Sequence, residues 1–174
     1  AAAVLALFAA DNMSDAVALM NKEAKSLGAT ESNFVNPHGL YNDNHYTTVY
    51  DLYLIFNEAI KYSKFVDTLS CMKYTGSFTR KTAYGDYSIG CSYTNSNGFL
   101  TGSYATPDGI KVYGGKAGYT EVARRSYVML AESNNGHKYI IITMRAESNS
   151  LMYKDLSALL NKIPVEKKSY ADNE

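Results

Sequence analysis

The sequence predicts an α+β domain, and three observations predict it. Apolar residues recur at helical spacing through the first part of the chain. From "CMKYTGSF" onward the period changes to two, the alternation of half-buried strands. The stretch "SLMYKDLSALLNKI" then restores helical spacing, with Pro164 just after it. Helices, an antiparallel sheet and a returning helix make one layered domain. A length of 174 residues suffices for one such core and is short for two. Lysines and arginines number 17, balanced by 17 aspartates and glutamates. No basic excess is left to track phosphates, which argues against a nucleic-acid partner.

The opening "AAAVLALFAA" is too short to span a bilayer, and no basic segment precedes it as in a secretory leader. It reads as a buried helix whose beginning has been cut away. In "SDAVALMNKEAKSLG", Val17, Met20, Ala24 and Leu27 share one helical face. Ser14 is its expected N-cap and Gly28 its left-handed stop. A loop of turn formers follows, "ATESNFVNPHGLYNDNHY", punctuated by Pro37 and Gly39. Thr48, with Asp51 three residues on, opens the helix "TVYDLYLIFNEAIKYSKF" in a capping-box pattern. Leu52, Ile55, Phe56 and Ala59 continue its apolar stripe.

Residues Tyr84 to Ser92 alternate like a strand, and "NSNGFL" reads as a loop. The clearest hairpin is "RRSYVMLAES" and "HKYIIITMRAE" joined by "NNG". Leu151, Leu156, Leu159 and Leu160 form the apolar face of the last helix. The domain is drawn over residues 1–163, with a polar, frayed tail over 164–174. Cys71 and Cys91 have no CxxC or zinc-type spacing, so they either pair or stay free.

Candidate chemistry concentrates in "VYGGKAGYTEVARRS". A strand opens there with a lysine between glycines, where packing favours a branched apolar residue. Held by a strand, that ammonium can serve an anionic ligand; the bland alternative is a solvated strand end.

Three stretches carry a resemblance, in order along the chain. They are "ALMNKEAKSLGATESNFVNPHGL" (Ala18 to Leu40), "YTTVYDLYLI" (Tyr46 to Ile55) and "GGKAGYT" (Gly114 to Thr120). With the hairpin and last helix, they make the chain resemble the serine D-alanyl-D-alanine carboxypeptidases. These are low-molecular-mass penicillin-binding proteins that share a fold with serine β-lactamases. The resemblance runs from about Ala16 to about Ile163 and implies an antiparallel sheet with flanking helices.

It also implies serine acylation by three motifs lining one cleft. A Ser-x-x-Lys supplies the nucleophile and its activating lysine. A Ser-x-Asn shuttles a proton and orients the substrate. A Lys-Thr-Gly on the edge strand binds the substrate carboxylate and shapes the oxyanion hole. By this resemblance the third motif falls on Lys116, Ala117 and Gly118, and the Tyr119 N–H is an oxyanion donor. Lys116 is then placed for a substrate carboxylate. Gly118 fits because a side chain there would block close approach of the substrate.

Two departures stand out. Ala117 occupies the position of the family's threonine or serine. A lost hydrogen bond to a charged group costs about 1.5–3 kcal/mol, so weakened recognition is expected. The other two motifs are expected upstream of "AAAVLALF", so the chain is read as lacking the N-terminal strands and the nucleophile helix. "SCMK" (Ser70 to Lys73) and "YTN" (Tyr93 to Asn95) match their letters. Roughly one Ser-x-x-Lys is expected by chance in such a chain. "SCMKYTGSF" also reads as a strand, where Ser70 and Lys73 point to opposite faces.

His38 is expected to brace its loop through a backbone hydrogen bond. Asp43 and His45 lie near it without a third ligand at metal spacing, so no metal is implied. His137 reads as solvated at the hairpin turn, and at most one of Arg124 and Arg125 faces the cleft. A Ser-His-Asp triad has no Gly-x-Ser-x-Gly to accompany it, and no cofactor is implied.

Three functional readings follow. The leading one is the C-terminal part of a carboxypeptidase acting on peptidoglycan stem peptides through an acyl-enzyme, inactive alone. The alternative is a noncatalytic module that binds peptidoglycan or a partner protein. A small hydrolase using Ser70 ranks last. The implied ligands are a peptidoglycan peptide or a β-lactam, and the implied location is the cell envelope outside the cytoplasm. Uncovered apolar faces would be covered by an N-terminal segment or a second copy.

Overall fold

The computed structural model describes residues 1–166. Five helices and five strands follow the predicted order: α1 (Ala2–Ala9), α2 (Met13–Ser26), α3 (Val49–Ala59), α4 (Ser63–Ser70), β1 (Lys73–Thr82), β2 (Gly85–Thr94), β3 (Ile110–Thr120), β4 (Arg124–Ser133), β5 (Lys138–Ala146) and α5 (Asn149–Leu160).

The helix ends obey local chemistry. The side chain of Asn12, not of Ser14, caps α2 by accepting the Asp15 N–H at 2.9 Å. Asn12 precedes the first helical turn, whereas Ser14 already lies inside it. At the other end Ala29 N–H reaches Ala24 O at 2.9 Å and Gly28 N–H reaches Lys25 O at 3.0 Å. Gly28 takes φ +86° to close that double-bonded stop. Thr48 caps α3 by accepting the Asp51 N–H at 3.1 Å. The capping box is one-sided, because the Asp51 carboxylate turns instead to Glu31 and Ser32.

Helix α1 is not buried. None of its residues is enclosed, and Phe8 is 85% exposed. It leans on α2. The predicted long third helix divides at residues 60–62 into α3 and α4. Ser70 closes α4 rather than lying on a strand, and its hydroxyl donates back to Val66 O and Asp67 O.

The strands form two antiparallel sheets rather than one: a ribbon of β1 and β2, and a three-stranded sheet ordered β3-β4-β5. The ribbon is one-sided. Tyr74, Phe78, Arg80, Tyr87, Ile89 and Tyr93 share one face, and serines and threonines with Lys73, Lys81 and Asp86 hold the other. Asn95 separates ribbon from sheet by donating to Leu69 O (3.0 Å) and Cys71 O (3.1 Å).

The core lies on both faces of β4, whose residues Tyr127 to Ala131 are all buried. On one face Tyr127, Met129 and Ala131 meet Met152, Tyr153, Leu156 and Leu160 of α5. On the other, Val128 and Leu130 meet Phe56 of α3 and Phe65, Val66 and Leu69 of α4. The α5 face thus differs from the predicted leucine stripe: Met152 and Tyr153 are buried, while Leu151 is 45% exposed. Full burial of such a side chain is worth about 1.5–3 kcal/mol, so this face anchors the helix. Of the predicted tail, Pro164 to Glu166 are described, and the remainder lies outside the described residues. Glu166 exchanges two backbone hydrogen bonds with the Asn134 side chain, at 2.8 and 2.9 Å.

Candidate ligand-binding cleft

Strand β3 is an edge strand, paired with β4 on one side only. Its glycines fall into two kinds. A Cβ on Gly114, at φ +123°, would lie 2.2 Å from Leu69 O, and one on Gly115 would lie 2.1 Å from Val128 O. Both are demanded by the fold, where α4 and β4 press against the strand at a bulge between Val112 and Gly114. A Cβ on Gly118 would meet nothing within 4 Å. The protein's own packing makes no use of that glycine.

The ladder sets the faces. Lys116, Gly118 and Thr120 stand opposite Val128, Ser126 and Arg124, so these six share the α3 side of the sheet. Ala117 and Tyr119 stand opposite Tyr127 and Arg125 on the other side. Arg125 stacks over the Tyr119 ring at 4.6 Å, and so is spoken for. Lys116 is exposed, with its ammonium folded onto the carbonyl of Ala117. Among the described residues it has no acidic partner.

Beside β3 opens a cavity of about 600 Å³. One wall is Lys116 to Thr120 with Arg124, Ser126 and Arg145; the other is the loop carrying Phe34, Tyr41, His45 and Tyr46. Three anchors hold that loop. Buried Asp51 accepts the Glu31 N–H at 2.8 Å and the Ser32 hydroxyl at 2.6 Å. The Asn21 amide clamps the backbone of Phe34 from both sides, at 2.7 and 2.8 Å. Asn33 and Tyr46 pair as a single β-bridge. His45 accepts the Val35 N–H on Nδ1 at 3.1 Å. Burial, with a smaller contribution from His38, holds its pKa below the usual histidine value. His38 accepts the Leu40 N–H at 3.2 Å, the loop brace its sequence context predicts.

Behind the strand, Asn97 donates to the Tyr127 hydroxyl at 2.8 Å and accepts the N–H groups of Phe99 and Leu100. Burial first, then the neighbouring Tyr153, pushes the Tyr127 phenol up to about 12, against the opposing pull of Asn97. Tyr153 in turn accepts the Gly98 N–H at 2.7 Å and stacks on Tyr104 at 4.1 Å.

The structure thus brings Lys116, Ala117, Gly118 and Tyr119 to one cavity. Ser70 and Asn95 are not part of its lining. Asp43 lines the cavity with its carboxylate on the Tyr41 hydroxyl. His137 is exposed at the hairpin turn. Cys71 and Cys91 are both free thiols. Among the described residues, no three His, Cys, Asp or Glu side chains cluster as metal ligands, and no single helix is long and apolar enough to cross a membrane. Sequence reasoning missed Tyr46, Arg145 and the cleft wall built by Phe34 and Tyr41. Arg145 carried no local signal, because its placement depends on a left-handed backbone at the end of β5.

The antiparallel sheet with flanking helices matches the β-lactamase-like fold of solved DD-peptidases, the class of the penicillin-binding proteins. Within that class the chain belongs to the D-alanyl-D-alanine carboxypeptidase family, whose model matches residues 1–148. It is 31% identical over 140 residues to the D-alanyl-D-alanine carboxypeptidase DacF of Bacillus subtilis, an overlap covering 79% of this chain and 31% of DacF. A solved D-alanyl-D-alanine carboxypeptidase from Mycobacterium tuberculosis superposes with a TM-score of 0.69 at 25% identity, over 92% of this chain and 56% of that one. The DD-transpeptidase of Streptomyces K15 gives 0.70 at 26% identity, over 84% and 52%. The chain therefore spans about half the length of these solved relatives and about a third of DacF.

Proposed function

We propose that this chain supplies the Lys-x-Gly wall of a serine D-Ala-D-Ala carboxypeptidase site acting on peptidoglycan stem peptides outside the cytoplasm. Lys116 takes the carboxylate of the peptide, Gly118 lets it lie against β3, and the Tyr119 N–H serves the oxyanion. The observation that carries the reading is Gly118. It is a strand glycine that the fold does not require, two residues from the exposed Lys116 and open to the cavity. An unpaired strand edge can take an extended peptide by backbone hydrogen bonding. The acylated serine, on this reading, lies outside these 174 residues. Ser70 is a poor substitute, since its hydroxyl is bonded to helix carbonyls and, among the described residues, to no basic side chain.

Incubation with a penicillin followed by intact-mass measurement tests the assignment. No adduct is expected on the chain alone, and a stoichiometric one is expected after addition of a segment bearing the Ser-x-x-Lys helix. An adduct on Ser70 would overturn it. Ala117 favours a second reading, a noncatalytic module that binds stem peptides or a partner protein. Continued absence of an adduct in the reconstituted mixture, with peptide binding retained, selects that one.

The uncovered faces support a covering segment or second copy. Helix α1 is exposed, and a groove of about 620 Å³ runs beside β5, lined by Tyr50, Tyr53, Ile140, Ile142 and Leu159. A monodisperse monomer in light scattering would count against this.

A further inference from the structure

We propose that the β1–β2 ribbon is a membrane-docking element, which lays its aromatic face on an anionic lipid bilayer at headgroup depth. The inference stands apart from the carboxypeptidase reading, since the ribbon contributes no residue to the lining of the β3 cavity.

A two-stranded ribbon has no core of its own and is marginal in water unless its apolar side is covered. No residue of β1 or β2 is buried. Neither strand joins the two clusters on the faces of β4. Yet the ribbon is sorted by face. Tyr74, Phe78, Tyr87, Ile89 and Tyr93 stand on one side with Arg80, and each of the four aromatic rings is more than half exposed. The other side is polar. Such alternation marks a strand pair built to lay one face against something. Tyr74 shows this most plainly. A Cβ on Gly76 would lie 2.8 Å from the Tyr74 hydroxyl oxygen and 3.0 Å from its ring carbons. The ring therefore lies down along its own strand, over the glycine, with its outer side open to solvent.

Size argues against a protein as the occupant. Ten residues at 3.3 Å each, in two strands about 4.8 Å apart, make a face about 33 Å long and about 10 Å wide. That footprint of about 330 Å² falls well short of the roughly 800 Å² each partner gives to a standard interface. A bilayer surface needs no matching shape.

Charge and chemistry fit the bilayer. Lys73, Arg80 and Lys81 against Asp86 leave residues 73–94 with a net of two positive charges, in a chain balanced overall at 17 against 17. Arg80 stands among the rings, and lysine stems behind so narrow a ribbon reach headgroup level. Tyrosine rings with basic side chains are the chemistry of the membrane–water boundary, where the ring sits in the interface and the cation meets anionic lipid. Tyr84, 93% exposed, adds a ring at the hairpin tip. The unpaired edge of each strand sets the depth, because its N–H and C=O groups cannot enter hydrocarbon.

The chain contains no tryptophan, so a single introduced one reports its own surroundings. Phe78→Trp places it on the aromatic face, and Thr79→Trp places it one residue on, facing the other way. Each 174-residue variant is mixed at low salt with vesicles of equal parts phosphatidylglycerol and phosphatidylcholine, with and without bromine on the acyl chains. The fluorescence of Phe78→Trp is expected to shift to the blue and to be quenched by brominated lipid, and that of Thr79→Trp to stay unquenched. In flotation the parent chain is expected to partition at least about tenfold more strongly onto these vesicles than onto pure phosphatidylcholine. Phe78→Ser/Tyr87→Ser is expected to lose at least about tenfold of that partition. Its circular dichroism should be unchanged, because neither side chain is buried. Equal quenching at both positions, or at neither, overturns the proposal. Vesicle binding that survives the double serine variant also overturns it and assigns the binding to the exposed helix α1. Dimerisation without vesicle binding gives the face to a second copy, and a blue shift of Phe78→Trp on soluble glycan strands alone gives it to a polysaccharide; either result overturns it.

Discussion

Tyr127 stands opposite Ala117 across the β3–β4 ladder, and its hydroxyl receives a hydrogen bond from the buried Asn97 side chain at 2.8 Å. A loop residue 30 positions away thereby braces the sheet directly behind the candidate cleft. Asn97→Ala removes that bond and strips the acceptor from the Phe99 and Leu100 N–H groups. A loss of about 2–4 kcal/mol is expected in urea unfolding. Tyr127→Phe leaves one buried amide donor unpaired and costs about 1–2 kcal/mol.

The same phenol makes stability depend on alkaline pH. Its folded pKa is raised from 10.0 to about 12, so the neutral form is favoured in the folded state. Its contribution is whole below pH 10, where both states hold the proton, and is lost as pH rises from 10 through about 12. Denaturation midpoints across that window should fall more steeply for the parent chain than for Tyr127→Phe. Parallel curves would contradict the assignment.

The glycines of β3 should separate by experiment. Gly114→Ala forces a side chain against Leu69 O at a left-handed φ, and roughly 2–3 kcal/mol of destabilisation is expected. Gly118→Ala should leave the unfolding free energy within about 0.5 kcal/mol of the parent while weakening peptide binding, since nothing among the described residues occupies its space. Equal destabilisation by both would remove the case for a reserved surface.

Asp51 joins α3 to the loop that walls the cavity. Asp51→Ala abandons the Glu31 N–H and the Ser32 hydroxyl, and about 3 kcal/mol should be lost. Hydrogen exchange should rise first at residues 30–47. Protection unchanged there, with loss elsewhere, would show that other contacts hold the loop.

The thiols should be independent. Cys91 pairs with Gly76, five residues along from Cys71, which is about 16 Å at strand rise and far beyond disulfide reach. Thiol titration under non-reducing conditions should therefore count both. The exposed Cys71 should react before the half-buried Cys91.

Sequence alone determined what depends on neighbours along the chain. The Gly28 stop, the Thr48 cap, the β4–β5 hairpin and the final helix all follow from period, capping and turn chemistry, which act within a few residues. The Lys116-to-Tyr119 stretch stood out as a lysine between glycines at a strand opening, and its expected role came from the family resemblance. Tertiary structure decided which faces are covered and what meets across long separations. It left α1 open, split the strands into ribbon and sheet, and buried Met152 and Tyr153 instead of Leu151. It also set Asn97 under Tyr127 and turned Arg124 and Arg145 towards one cavity. Burial is a property of what packs from elsewhere in the chain. No window of sequence contains both halves of such a contact.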